Sequence, residues 1–332
     1  MKPVRMREVA TRAGVSEMTV SRALRTPDAV APRTLERVQR AVEELGYVPD
    51  LAAGSLSSKR NRFIVALVPL LNSSPFADTL QSLSSELHQE GYQLLMGTTD
   101  YSLKREEELI QALLGHRPQA IVVTGRHHGA ETRRRLDRAQ VPVVEIWDLP
   151  DQPIDSAVGY SNFACGVALT EYLHARGRRR IGFAISGMRD DDRGEQRLQG
   201  YRETVQRLGL EEVVERVGQP PIRMEYGRQV LRQLQDRVPD LDAVICVSDT
   251  LAIGVLSEAR EQGLDLPSQL AVAGFGDFEV AQHTHPSLTT IRVSGREIGR
   301  KTAELLLRRL EGEDQAPHII DVSFQLIERN ST

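Results

Sequence analysis

The chain has 332 residues and only two cysteines, Cys165 and Cys246. Two cannot build a disulfide framework, and both read as small buried hydrophobes. No run approaches the roughly 18 apolar residues of a membrane-spanning helix, so no membrane partner is expected. Met1-Lys2-Pro3-Val4-Arg5 runs into a charged helical pattern without an apolar signal region, so a cytoplasmic location is expected. The sequence holds no phosphate-binding loop, nucleophile elbow or catalytic-triad spacing, which argues against an enzyme. His127-His128 is a hint of metal, but with so few cysteines no convincing ligand set forms around it. No metal and no cofactor are expected.

What is present is an ordinary globular composition, 40% hydrophobic and 27% charged. The length suggests two or three domains. The formal net charge is −4, but it is unevenly spread. Residues 1–62 carry twelve Lys/Arg against seven acids, net +5, which leaves −9 for residues 63–332. A basic head on an acidic body is the asymmetry expected when only the head meets phosphate.

The head has helical periodicity. Met6, Val9, Ala10 and Ala13 share one face of a short helix, and Gly14 can end it in a left-handed conformation. Ser16 is a candidate N-cap for a second helix, Glu17–Arg25, with Val20, Ala23 and Leu24 turned inward. Pro32-Arg33-Thr34 opens a third helix through Leu45, and Gly46 ends it. Two short helices joined by a tight glycine-containing turn form a helix-turn-helix, whose second helix enters the major groove N-terminus first.

Val9-Ala10, Ala13-Gly14-Val15-Ser16, Thr19-Val20-Ser21-Arg22 and Leu45-Gly46-Tyr47-Val48-Pro49 resemble the DNA-binding head of the LacI family of bacterial repressors. The resemblance implies that Glu17, Met18 and Arg22 occupy base-reading positions. Arg22 reaching a guanine edge bidentately would supply roughly 1–3 kcal/mol of discrimination. Ser16, Thr19 and Ser21 would bond phosphates, which set register rather than sequence. Next, Asp50 can cap residues 51–58, but a helix so short and containing Gly54 is unstable alone. In the family this stretch is a hinge that becomes helical on operator DNA and wedges a leucine into the minor groove; Leu56 holds that position here.

From Phe63 the pattern alternates between strands and helices. Apolar runs at Ile64–Pro69, Gln93–Met96, Ala120–Val123, Val141–Ile146, Arg180–Ile185, Ala243–Val247 and Leu270–Phe275 read as buried parallel strands, with a last strand at Ile319–Glu328. Amphipathic segments near 78–90, 103–114, 130–139, 163–175, 195–208, 226–237, 249–262 and 295–311 read as helices. These are too many strands for one comfortable sheet. The expected fold class is an all-α helix-turn-helix head followed by an α/β body of two doubly wound parallel-sheet subdomains, dividing near Gly159–Asn162. Val158-Gly159-Tyr160-Ser161-Asn162, Arg197-Leu198-Gln199-Gly200-Tyr201 and Ser248-Asp249-Thr250-Leu251-Ala252-Ile253-Gly254 resemble the periplasmic-binding-protein fold that LacI-family proteins carry behind the head. The domains expected are 1–48 for DNA binding, 49–62 for hinge helix and linker, and 63–332 for effector binding and dimerisation.

Ligands of such folds sit in the cleft at the carboxyl ends of strands. Candidates placed there are Phe76, Arg126, Glu145, Asp148, Asn162, Arg197, Asp249 and Asp277. An arginine among carboxylates suits a small polyhydroxylated acid, with Arg197 clamping the carboxylate and Asp249 and Glu145 accepting from hydroxyls. Arg197 and Asp249 match ligand-contact positions of the family. Ser248 stands where some sugar-binding members carry Asn, and Gly276 where they often carry an acid, which puts Asp277 in doubt. Met18 with Arg22-Ala23-Leu24-Arg25, Val144-Glu145 and Ala157–Phe163 resemble in particular the repressors of gluconate utilisation. The effector implied is gluconate or a relative such as 2-ketogluconate or 6-phosphogluconate.

One head reads half an operator, so a homodimer on double-stranded DNA is expected. No leucine-heptad tail follows the last strand. The alternatives are a LacI-type regulator of another effector, such as a neutral sugar or corepressor, and a sugar-binding protein of transport. The basic head disfavours the latter, as the missing catalytic constellation disfavours an enzyme.

Overall fold

The computed structural model describes residues 4–47, 62–71, 74–188, 190–218, 222–313 and 316–332. Leu56 and the expected hinge lie outside the described residues. The chain divides into two compact units, Met1–Asn61 and Arg62–Thr332.

In the first unit α1 (Met6–Ala13), α2 (Glu17–Arg25) and α3 (Pro32–Leu45) pack around Val9, Ala13, Val20, Ala23, Val38 and Ala41. Gly14 and Gly46 end α1 and α3 in left-handed conformations, φ 64° and 61°. Ser16 caps α2, its Oγ accepting from the Thr19 N–H at 3.1 Å. One contact was not legible locally. Arg37 of α3 donates to the carbonyls of Ala13 and Gly14, satisfying the C-terminus of α1 from a distance.

The second unit holds two six-stranded sheets. In chain order its elements are β1 (Phe63–Val68), α4 (Ser74–Gln89), β2 (Gln93–Thr98), α5 (Leu103–Leu114), β3 (Ala120–Thr124), α6 (Ala130–Arg138), β4 (Val143–Ile146) and β5 (Ser156–Gly159). There follow α7 (Asn162–Ala175), β6 (Ile181–Ser186), α8 (Asp192–Arg207), β7 (Val213–Val217), α9 (Met224–Arg237), β8 (Ala243–Cys246), α10 (Asp249–Glu261) and β9 (Ala271–Phe275). The last are β10 (Thr289–Arg292), α11 (Gly295–Glu311), β11 (Ile319–Asp321) and β12 (Gln325–Ile327). Lobe 1 has strand order β11-β5-β4-β3-β1-β2, all parallel. Lobe 2 has β12-β10-β9-β8-β6-β7, parallel except for the β10–β12 pair.

Two doubly wound sheets agree with the expected architecture, but the division is not a single point. The chain crosses between lobes after β5, again before α11, and a third time between β11 and β12. The expected last strand is therefore two strands in different sheets. It breaks at Val322–Phe324, where Ser323 takes a left-handed φ of 61°. Three strands escaped the apolar pattern: β5 is short and contains serine and glycine, β7 carries Glu215 and Arg216, and β10 begins with two threonines. The charges on β7 suit its place at a sheet edge. No described helix is long and apolar enough to cross a membrane.

Paired glycines bring three helix pairs together: Gly166 with Gly200, Gly227 with Gly254, and Gly295 and Gly299 against α4. The first pair matters most for the cleft, because it sets α8 against α7. A Cβ on Gly200 would stand 2.1 Å from the Phe163 carbonyl oxygen, and one on Gly166 would stand 2.0 Å from that of Arg197. Neither carbonyl can move without its helix. Gly200→Ala is expected to lower the urea-unfolding free energy by about 1–3 kcal/mol. An unchanged midpoint in equilibrium unfolding would show that α7 and α8 separate freely.

Candidate functional site

The outer face of α2 is open to solvent. Met18 is 73% exposed, and Glu17 and Arg22 are also exposed, while Ser21 and Thr19 are half-buried at its edges. The inward Val20 and Ala23 fix which way this face turns. Ser16 Oγ and Thr19 Oγ1 lie 2.9 Å apart and bond each other. One of the two hydroxyl protons is consumed there, leaving one to donate outward.

In the body, a cavity of about 160 Å³ opens between the lobes. Its walls are largely aromatic. Phe76, Trp147 and Tyr160 form an edge-to-face chain with centroids 5.2 and 6.0 Å apart, and Tyr160 stacks on Phe275 at 6.1 Å. Of the sequence candidates, Phe76 and Arg197 line this cavity. Arg197 lies over the Phe275 ring, its guanidinium carbon 3.5 Å from the centroid. Its Nε donates to Asn162 Oδ1 at 3.0 Å, its Nη1 to the Val247 carbonyl at 2.9 Å and its Nη2 to the Tyr160 hydroxyl at 3.5 Å. Asn162 thus stands behind the wall. It holds Arg197 and donates through Nδ2 to the Trp147 carbonyl at 3.1 Å.

Arg126 and Asp148 fall on a polar seam joining the lobes. Asp148 accepts from Gln196 Nε2 at 2.5 Å, and Arg126 Nε stands 3.6 Å from it. Burial pushes the Asp148 carboxyl above its usual range, opposed by Gln196 and Arg126. Asp192 of lobe 2 accepts from the N–H groups of Arg126 and His127 in lobe 1, at 3.1 and 3.2 Å.

Three candidates point elsewhere, which corrects the sequence reading. Alternation along β4 puts Val144 and Ile146 in the larger core but Glu145 on the opposite face with Val143. There Glu145 accepts from the Ile154 N–H at 2.6 Å and lies 3.5 Å from His128 Nε2, an ion contact rather than a hydrogen bond. His128 Nδ1 is 2.9 Å from Glu106. Burial opposes charge on this imidazole, but the two glutamates outweigh it and push its pKa up to about 9. His128 thus joins Glu106 and Glu145 inside lobe 1, away from the cavity. Asp277 is tied to Arg292 at 2.5 Å and Arg329 at 2.6 Å. Asp249 is fully buried, its oxygens taken by the Thr290 hydroxyl at 2.6 Å and the Phe278 N–H at 2.7 Å. It braces the loop that brings Phe278 to the cavity instead of facing a ligand.

The sequence reading missed Asp191, Arg193, Tyr101 and Phe278, all of which line the cavity. Arg193 and Arg197 are one helical turn apart, a spacing that was visible. It went unused because α8 was expected to begin at 195, three residues late.

A helix-turn-helix head with a two-lobed, cleft-bearing body is the build of a DNA-binding regulator. Residues 5–50 match the family model of bacterial regulatory proteins of the lacI family, and residues 170–332 match a periplasmic binding protein-like domain. The chain is 36% identical over 328 residues to the HTH-type transcriptional regulator GntR of Pseudomonas aeruginosa, covering 98% of this chain and 95% of that one. The crystal structure of a LacI-family transcriptional regulator from Silicibacter pomeroyi is 34% identical, with a TM-score of 0.92 and 99% of each chain covered. A transcriptional regulator CelR–cellobiose complex is 31% identical with a TM-score of 0.72, covering 99% of this chain and 100% of that one. The chain belongs to the LacI family of transcriptional regulators. Its relatives are transcriptional regulators, not enzymes.

Burial pushes the Asp249 carboxyl up to about 6, against its hydrogen bonds from Thr290 and Phe278. A folded pKa above the unfolded one means that stability is fully present below pH 4 and falls as pH rises through 6. A shift of about two pH units corresponds to about 3 kcal/mol. Asp249→Asn removes this titration. Its stability relative to the parent, followed by urea unfolding from pH 4 to pH 7, is expected to improve up to about pH 6 and then level off; a constant difference would remove Asp249 from the account.

Proposed function

We propose that the protein is a transcriptional repressor that binds operator DNA as a homodimer and is controlled by a small sugar acid, gluconate or a close derivative. The observation that carries the effector is the cavity itself. Two arginine side chains, Arg193 and Arg197, enter an aromatic-walled space where Glu145, Asp249 and Asp277 are all turned away. Two guanidinium groups beside a single cavity carboxylate, Asp191, leave an excess of positive charge that favours an anion from outside. The aromatic rings suit the C–H faces of a polyol chain. The full-length likeness to a GntR regulator supports the same ligand class. The CelR–cellobiose complex favours a second reading, a neutral disaccharide. The small cavity argues against it, since pockets for larger ligands run to roughly 300–1,000 Å³.

On this reading α2 enters the major groove, with Arg22, Glu17 and Met18 toward base edges and Ser16, Thr19 and Ser21 toward phosphates. Residues 49–62 act as hinge and Leu56 as the minor-groove wedge. Residues 63–332 carry the effector and dimer functions. An acid that prefers the state of low operator affinity draws the lobes together and relieves repression.

Titration calorimetry of the full chain is expected to show heat with gluconate and none with cellobiose; the reverse result sinks the sugar-acid reading. In gel shifts on its own promoter DNA, gluconate is expected to release the complex. Arg22→Ala is expected to lose specific binding by about 1–3 kcal/mol while gluconate affinity holds. Leu56→Ala should weaken the specific complex with effector binding intact. Sedimentation at micromolar concentration should give a dimer, and a tetramer would contradict this reading.

A further inference from the structure

The two cavity arginines are not equivalent. Arg197 has spent donors on Asn162, the Val247 carbonyl and Tyr160. Arg193 is 4% exposed and reaches from lobe 2 between two rings of lobe 1, its guanidinium carbon 5.4 Å from the Phe76 centroid and 5.7 Å from that of Tyr101. Burial disfavours its charge, but Tyr101, Asp192 and Asp191 outweigh that and hold its pKa above the ordinary arginine value. Neither acid is given over to it as an ion-pair partner. Asp192 accepts from backbone N–H groups of Arg126, His127 and Arg193. Asp191 accepts from the Gly194 N–H at 3.1 Å and the Ser186 hydroxyl at 3.3 Å. Yet Asp191, 7% exposed, also lines the cavity, and its carboxyl group lies two residues along the chain from Arg193.

We infer that Arg193 and Asp191 together set the charge class of the effector: Arg193 takes the single carboxylate of an unphosphorylated acid, while Asp191 accepts a ligand hydroxyl and repels a phosphorylated ligand. This rests on the sugar-acid reading above and narrows it. A carboxylate brings one negative charge and two oxygens that match the guanidinium fork. A phosphate monoester brings nearly two charges at neutral pH, and the second faces Asp191 with Arg197 already committed. Because Phe76 and Tyr101 belong to one lobe and Arg193 to the other, a carboxylate on Arg193 also adds to the contact that joins them.

The test is calorimetry on the full chain with gluconate, 6-phosphogluconate and sorbitol, the last an uncharged polyol of the same carbon count. The parent is expected to prefer gluconate to each of the others by at least ~30-fold, the range of a charge-assisted hydrogen-bond pair. Arg193→Met should bring gluconate and sorbitol within about 3-fold of each other, and Arg193→Lys should fall between. Asp191→Asn should narrow the gap between gluconate and 6-phosphogluconate by about tenfold. Thermal melting checks that each variant folds; should Arg193→Met not fold, Arg193→Lys and Asp191→Asn decide the matter. A parent that binds 6-phosphogluconate as tightly as gluconate, or a folded Arg193→Met that keeps its preference for the acid, overturns the inference and leaves the sugar-acid reading standing. A parent that binds only neutral sugars overturns both.

Discussion

Arg197 stacked on Phe275 is the contact around which the cleft is organised. A guanidinium in so enclosed a place loses its hydration and must be compensated nearby. Asn162, the Val247 carbonyl and Tyr160 supply hydrogen bonds, and the Phe275 face supplies a cation–π contact. These partners come from the start of α7, the end of β8, the crossover after β5 and the end of β9. One side chain therefore sets the relation of four segments, and Asn162 passes the constraint on to Trp147. The close approach of α7 and α8 at Gly166 and Gly200 puts Arg197 within reach of Asn162.

The body is acidic, yet few of its acids look into the cavity. Glu145 holds a buried histidine, Asp249 braces the Phe278 loop, Asp277 anchors Arg329 near the C-terminus, and Asp148 and Asp192 stitch the lobes at their rim. Each such carboxylate is neutralised or hydrogen-bonded where it stands, as burial of charge requires. What remains in the cavity is positive and aromatic, with Asp191 as its negative group. Net charge of the domain and charge of the site are thus opposite, and the first is no guide to the second.

The seam between the lobes is built from groups of both. Asp192 meets two backbone N–H groups of the loop after β3, the kind of concavity that binds anions. The far end of the same loop is pinned by His128 between two glutamates. The two lobes therefore hold contacts of their own across this seam, to which a ligand in the cavity would add. Linkage sets the limit: an effector shifts the equilibrium only by the difference in its affinity for the two states.

The sequence by itself determined the head almost completely. Its helices, its caps at Ser16, Gly14 and Gly46, and the outward set Glu17, Met18 and Arg22 follow from hydrogen-bond and side-chain periodicities that repeat within a few residues. Most body strands and helices were legible for the same reason, and so was the pair of wound sheets. Strands β5, β7 and β10 were not, because short or edge strands need no apolar run. The site was legible only in part. Phe76 and Arg197 line the cavity and Asn162 stands behind its wall, but Glu145, Asp249 and Asp277 were placed in the cleft because they follow strands, and following a strand does not fix where a carboxylate points. Strand parity turned Glu145 away, helix start and loop packing enclosed Asp249, and a basic pair captured Asp277. Arg193 waited on knowing that α8 begins at Asp192. Those choices belong to tertiary structure, since a cavity walled by residues a hundred or more positions apart, on a chain that changes lobes three times, exists only once both sheets have formed.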